Sequence, residues 1–270
     1  MKEKNILKVI LLKFFKRDNA FIKILKIIAN SFLTFKIIKK ISLKFSIILI
    51  PQLIKDNLIF EKNRNKMNLI NNEKKIYFEE KYNFNFKDWF SGNIFIWEII
   101  VNKIEKIDYL EIGSFEGRST VFMGELNNLN SIAAIDTWEG SDEHNSEDKR
   151  PEISFNKVFE NFKNNLNIIN KPNINYFKTT SDNFFKNNKK NYNLIYIDGS
   201  HHYNDVKNDF INSFNCLKNN GYIICDDFLW FFYDQPELNP MKAVLECYEK
   251  FKKNLKIKFL YYQIIFKKIE

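Results

Sequence analysis

Glycine is scarce in this chain, with seven in 270 residues. That excludes collagen-like repeats and glycine-rich linkers. The three cysteines, Cys216, Cys225 and Cys247, include no CxxC pair, so a disulfide framework and a four-cysteine zinc site are excluded. They suit a reducing compartment, where each is a small apolar core residue. Three histidines leave little room for a histidine-rich metal site. Long apolar runs are also missing from the amino-terminal part. The longest uncharged stretch there, 45–54, has ten residues and is broken by Pro51, whereas a membrane-spanning helix needs about 20. No transmembrane helix is expected. No signal peptide is expected either, because lysines interrupt the would-be apolar core and no small-residue cleavage site follows.

Hydrophobic residues make up 45% and charged residues 28%, enough for a sizeable core. The net charge of +9 is unevenly spread. Residues 1–60 hold 13 Lys and Arg against 3 Asp and Glu, a net of +10, which leaves the other 210 residues at about −1. The basic character thus belongs to an arm, and no nucleic-acid partner is expected: arginine, the preferred reader of bases and phosphates, is nearly absent from it. Within residues 5–54 apolar clusters alternate with single lysines. Two readings fit that pattern. One is a pair of amphipathic helices packing on the main domain or on a second subunit, which leaves a homo-oligomer open. The other is peripheral contact of a basic amphipathic helix with an anionic membrane surface. The expected location is cytoplasmic, at the inner face of the membrane on the second reading.

Three segments are expected: a basic helical extension over 1–60, a polar linker or adaptor over 61–92, and a catalytic-type domain over 93–270. In the last, helix-like spacing at 94–104 leads to an apolar strand at 107–112 and a glycine turn. Further strands read at 131–135, 173–178, 193–197 and 222–225, separated by helical patterns through 126 and at 155–166 and 204–217, the last ended by Gly221. The tail offers two more strands, 257–262 and 264–268. Strands alternating with helices predict an α/β, doubly wound, Rossmann-like parallel sheet. Ligands of such sheets bind beyond the carboxyl ends of the strands. Four strands end at Gly113, Asp136, Asp198 and Asp226, so the informative residues fall on one rim.

Each motif has its own chemistry. The turn Gly113-Ser114-Phe115-Glu116-Gly117 lets backbone approach a ligand closely, but Phe115 and Arg118 stand where a GxGxxG dinucleotide fingerprint needs glycine. Asp136 offers two acceptor oxygens to the ribose hydroxyls of an adenosine-containing cofactor. Asp198 with Asp226 and Asp227 could supply carboxylates to a hard cation such as Mg²⁺. His201 or His202 could take a proton from a substrate hydroxyl. Phe228-Leu229-Trp230-Phe231-Phe232-Tyr233 reads either as an aromatic wall over a substrate or as core.

Together, Tyr109-Leu110-Glu111-Ile112-Gly113-Ser114-Phe115-Glu116-Gly117-Arg118-Ser119, Ile135-Asp136-Thr137-Trp138, Ile197-Asp198-Gly199-Ser200-His201-His202-Tyr203 and Gly221-Tyr222-Ile223-Ile224-Cys225-Asp226-Asp227 resemble the class I S-adenosylmethionine-dependent methyltransferases. The narrower likeness is to the bacterial methyltransferase-domain group related to cation-dependent, catechol-type O-methyltransferases. It covers residues 90–270. The resemblance implies a seven-stranded sheet with an antiparallel last strand. It implies that Glu111, Gly113, Ser114 and Gly117 floor the methionine part of S-adenosyl-L-methionine. Asp136 would hold the ribose, Trp138 and Ser181 would lie on the adenine side, and Asp198 would border the cofactor. Asp198, Asp226 and Asp227 would match the metal positions of the cation-dependent members. His201 falls where catechol-type enzymes place a lysine base, so the base is His201 or His202.

The expected activity is methyl transfer to a hydroxyl of a sugar, glycan or small metabolite, assisted by a divalent cation. Two rivals stand beside it: a membrane-recruited, non-catalytic cofactor-binding module, and a metal-dependent hydroxylase on the same fold.

Overall fold

A computed structural model describes residues 20–140, 154–231, 233–235 and 238–269. Residues 5–19 of the basic arm and Phe232 of the aromatic run lie outside the described residues. The chain divides into two compact units, one ending at Arg64 and one running Asn65–Glu270.

In the first unit, α1 (Ala20–Ile41) is followed by α2 (Leu43–Ile48) and the start of α3 (Ile50–Lys81). Ser42 caps α2, its hydroxyl accepting the Phe45 amide at 3.3 Å. Asn57 on α3 donates to the Ser31 hydroxyl on α1 at 3.1 Å. Ile22, Ile38, Leu49 and Leu53 are buried.

The segment read as a linker from residue 61 is helical through Lys81. Its polarity misleads, because between Pro51 and Gly92 the sequence has no glycine or proline to stop a helix. Lys75 and Glu79 add an i,i+4 pair at 3.8 Å. The last turns of α3 are tied into the second unit. Asn71 donates to the Gly92 carbonyl at 2.7 Å and accepts the Phe95 amide at 2.8 Å. Lys81 reaches Glu125 at 2.7 Å, and Tyr82 donates to the same carboxylate.

The second unit continues with a short 3-10 turn (Ser91–Asn93) and α4 (Ile94–Val101). Then come β1 (Ile107–Ile112), α5 (Arg118–Gly124), β2 (Leu129–Asp136), α6 (Phe155–Ile169), β3 (Ile174–Lys178) and α7 (Ser181–Asn187). It ends with β4 (Tyr192–Ile197), α8 (Tyr203–Asn215), β5 (Leu217–Cys225), α9 (Pro240–Phe251), β6 (Leu255–Leu260) and β7 (Ile264–Lys268). The sheet order is β3-β2-β1-β4-β5-β7-β6. Strands β1 to β5 pair in parallel, and β7 runs antiparallel to both β5 and β6. This is the Rossmann-like seven-stranded arrangement with its last strand reversed.

Register decides where the loops meet. Ile112 pairs with Ile135 and with Ile197, and Ile197 pairs with Cys225. The next residues along, Gly113, Asp136, Asp198 and Asp226, therefore lie level on one rim. Behind them the core closes on Trp97, whose ring meets Phe90, Tyr109, Phe122 and Tyr196 edge-on and whose indole N–H donates to Gln263 at 2.9 Å.

One boundary differs from the sequence reading. Helix α8 stops at Asn215, and Gly221 lies inside β5 rather than at a helix end. The pairing of β4 and β5 is irregular between Tyr192 and Leu194, and a Cβ on Gly221 would meet the Leu217 side chain and the Lys218 carbonyl at 2.9 Å. A glycine within a strand marks such a close backbone approach.

Candidate active site

Strand order reverses between β1 and β4, and a doubly wound sheet opens its ligand crevice at that point. A cavity of about 1040 Å³ lies there. Its floor depends on Gly113. This residue has φ +86, and a Cβ on it would stand 1.9 Å from the Asp198 carbonyl oxygen. Gly113 donates to the Ile135 carbonyl and Asp198 to the Ile112 carbonyl, both at 2.8 Å, so the two turns are stitched side by side. Any side chain at 113 would force them apart.

Glu111 and Gly117, expected on the cofactor floor, do not line this cavity. Glu111 is wholly buried, and its carboxylate accepts hydroxyls from Tyr109 at 3.0 Å, from Ser114 at 3.1 Å, and from Ser119 and Thr120. Burial pushes it up to about 7 against the pull of those four donors. It ties β1 to the start of α5 from beneath. Gly117, at φ +84, begins α5 where a Cβ would come within 2.9 Å of the Phe162 ring. Both residues shape the turn whose upper face, Gly113 and Ser114, does line the cavity.

The expected ribose and adenine side is assembled around Asp136. One carboxylate oxygen accepts the Ser114 and Phe115 amides at 2.8 Å, and the other accepts the Trp138 amide at 2.7 Å. The acid at the end of β2 thus holds the β1 turn in place while remaining at the cavity wall. Trp138, at φ +51, donates its indole N–H to the Phe115 carbonyl at 2.9 Å and packs on Phe159, Phe162 and Tyr176. Ser181, the first residue of α7, lines the same space and bonds to Asp209 of α8.

At the ends of β4 and β5 lies an acidic corner. Asp198, His201 and Asp227 each bring one potential ligand atom to within 4.8 Å of the other two. His201 Nε2 is 2.5 Å from Asp227 Oδ2, and its ring lies 4.7 Å from that of Trp230. Asp226, expected to be a third metal carboxylate, lines the same cavity but is not one of these three. It accepts the Gln263 amide and the Asp227 backbone N–H, each at 2.8 Å, as well as the Tyr196 hydroxyl. The cluster geometry therefore puts His201 where the sequence reading put Asp226. Burial, then the charges of Asp226 and Asp227, push Asp198 upward; burial, then Asp227, do the same to Asp226. His202 stands apart from the cluster, stacked on Tyr233 at 4.8 Å with Nε2 3.2 Å from its hydroxyl. Of the aromatic run, Phe228 is core and Trp230 is on the cavity wall.

The sequence reading missed several wall residues. Trp89 comes from the loop after α3 and meets Phe115 edge-on. Tyr262, in the turn between β6 and β7, donates its hydroxyl to Asp227. Asp209 is buried, is pushed up to about 7 by that burial, and has a carboxylate oxygen with no hydrogen-bond partner. Its spacing on an amphipathic helix, one residue before the buried Phe210, was the available signal.

A family profile described as a methyltransferase domain matches residues 110–228. That segment is similar to a methyltransferase domain. It contains the β1 turn, Asp136, the β4 turn and the Asp226-Asp227 pair, so every part of the cavity floor described above belongs to it. Among curated proteins, the uncharacterised protein R132 of Acanthamoeba polyphaga mimivirus is 27% identical over 164 residues, which cover 56% of this chain and 67% of that protein. Among solved structures, the chain is similar to an O-methyltransferase from Bacillus cereus in complex with S-adenosylhomocysteine, at 11% identity and a TM-score of 0.48, covering 80% of this chain and 96% of that one. It is also similar to an rRNA methylase from Streptococcus thermophilus, at 10% identity and a TM-score of 0.47, covering 69% of this chain and 100% of that one.

Proposed function

We propose that this chain is an S-adenosylmethionine-dependent O-methyltransferase acting on a hydroxyl of a small metabolite or glycan, with a divalent cation held at Asp198, His201 and Asp227. One observation carries the reading. A single cavity joins Asp136, Trp138 and Ser181 on one side to the acidic corner and His202 on the other. The residues fit both groups. The Gly113 turn packs so closely on the Asp198 backbone that the cofactor-side turn and the acidic corner adjoin. The corner gathers carboxylates whose mutual repulsion a cation would relieve. Two carboxylates with one imidazole suit Mn²⁺ or a similar first-row ion better than Mg²⁺, which prefers an all-oxygen shell.

S-adenosylmethionine supplies a methyl group bonded to a sulfonium sulfur, and a divalent cation supplies Lewis acidity that lowers the pKa of a hydroxyl. The chain's own residues do the rest. Asp136 fixes the Ser114 and Phe115 amides and so the shape of the cofactor floor. Trp89, Phe115 and Trp138 supply apolar wall to the cavity. His202 Nε2 takes the acceptor's hydroxyl proton and passes it to solvent, to which its ring is exposed. His201, set against Asp227, is committed to the cation corner. In-line positioning of oxygen and methyl carbon supplies much of the rate.

Calorimetric titration with S-adenosylhomocysteine tests the cofactor half, with Asp136→Ala as the control. Micromolar binding that is lost in the variant supports the reading. A folded protein that releases no heat and shows no thermal shift would overturn it. Binding without turnover across a panel of hydroxyl acceptors supplied with Mn²⁺ would instead favour a non-catalytic module.

A further inference from the structure

The first unit presents a surface unlike that of the second. Along α1, Phe21, Ile24, Ile28 and Phe32 are 60%, 54%, 59% and 54% exposed. Their spacing of three and then four residues puts them on one helical stripe. Lys39 falls on the same stripe and Lys36 at its edge, both exposed, with the Lys36 ammonium 4.6 Å above the Phe32 ring. The pattern continues on α3, where Ile50, Ile54 and Leu58 repeat every four residues and are 37%, 42% and 51% exposed. Cations dominate this surface, and Glu61 at its far end pairs with Arg64 at 3.6 Å. Residues 20–60 contain seven lysines and a single acid, Asp56, which is buried and accepts the Gln52 amide at 2.7 Å.

Exposed apolar residues flanked by cations, with no acid anywhere in α1, complement a particular environment. We propose that α1 lies in the plane of an anionic lipid surface, with Phe21, Ile24, Ile28 and Phe32 sunk into the headgroup boundary and the lysines at the phosphates. A helix in that position buries its apolar stripe by about 5–10 Å and gains from each nearby lysine. A second copy fits less well, since two such faces would bring lysines together with no carboxylate to pair them. Spanning the bilayer is excluded for the described helices, none of which is long and apolar enough to cross. The inference rests on the first unit alone and stands whether or not the methyltransferase reading holds.

The test is flotation of the 270-residue protein with vesicles of phosphatidylcholine mixed with phosphatidylglycerol, and with phosphatidylcholine alone. Binding to the mixed vesicles, weak binding to the neutral ones, and release by high salt are expected. Lys36→Gln with Lys39→Gln should weaken binding on the order of 25-fold, at about fivefold for each lysine. The paired arginine substitutions should keep it. Ile28→Ser with Phe32→Ser should weaken binding to both vesicle types. Far-UV circular dichroism and S-adenosylhomocysteine titration of each variant separate misfolding from loss of contact. A folded protein that stays with the aqueous fraction, or binds both vesicles equally and without salt dependence, would overturn the proposal. So would a solution dimer dissociated by Phe32→Ser, which would assign the stripe to a second copy.

Discussion

Replacing Gly113 with alanine adds one methyl group where the turns after β1 and β4 cross. That carbon would sit 1.9 Å from the Asp198 carbonyl oxygen, 2.5 Å from its carbon and 2.8 Å from the Gly199 Cα. All three are backbone atoms, so no rotamer change relieves the clash. The backbone at Gly113 also has φ +86, where an L-residue costs about 1–2 kcal/mol. Overpacking adds about 1–3 kcal/mol. The total of about 2–5 kcal/mol is a large share of the ~5–15 kcal/mol that holds a domain folded. Urea unfolding should show it as a lower midpoint, and S-adenosylhomocysteine affinity should fall as the Asp198 turn is displaced. Gly92→Ala is the control, because nothing lies within 4 Å of a Cβ there; its effect should stay within about 0.5 kcal/mol. A Gly113→Ala protein that unfolds at the wild-type midpoint and binds the cofactor product with wild-type affinity would refute the argument that this turn has no space.

Three further outcomes follow from the site. Glu111 is held at about 7 against an ordinary 4.5 by burial, so the folded state grips its proton more tightly than the unfolded one. Its contribution is full below pH 4.5 and is lost as pH rises to about 7, and Glu111→Gln should remove about 3 kcal/mol of that slope from urea midpoints measured across the range. His202→Gln should lower kcat/KM by about 10²–10⁴ while cofactor affinity holds; an unchanged kcat/KM would return the proton to His201. Asp227→Asn should weaken Mn²⁺ binding, followed by electron paramagnetic resonance, by more than about tenfold, with cofactor binding unaffected.

What could be read from the sequence was what local rules govern. Apolar runs ending in an acid or a glycine marked β1, β2, β4 and β5, and the parallel register then brought Gly113, Asp136, Asp198 and Asp226 to one rim. The helical stretch of α3 beyond residue 60 was hidden by its asparagines and lysines, although nothing in it breaks a helix. Gly221 looked like a helix stop because a strand bulge and a helix end use the same residue. The direction of the Asp226 side chain could not be read at all. It is set by Tyr196 and Gln263, the second of which arrives from the turn before β7. Tyr262 comes from that same turn, so its approach to Asp227 depends on the antiparallel strand closing the sheet.

Hydrogen-bond accounting in the acidic corner leads to a prediction about pH. The Tyr196 hydroxyl is 2.9 Å from Asp198 Oδ2 and also bonded to Asp226 Oδ2, yet it has one proton to give. Asp226 has other donors in Gln263 and the Asp227 amide, so the shortfall falls on Asp198. Burial and then the neighbouring carboxylates push Asp198 upward as well. Either a proton or a cation can supply the missing positive charge, and the two compete for the same carboxylate. Mn²⁺ affinity should therefore rise with pH, and binding should release a proton, measured as a buffer-dependent heat in calorimetry. Asp226→Asn should flatten this dependence by removing one repelling charge while keeping Asp198, His201 and Asp227 as ligands. Cation binding that is pH-independent in the wild type would refute this competition, and binding lost altogether in Asp226→Asn would show that Asp226 itself is a ligand and that the corner rearranges around the ion.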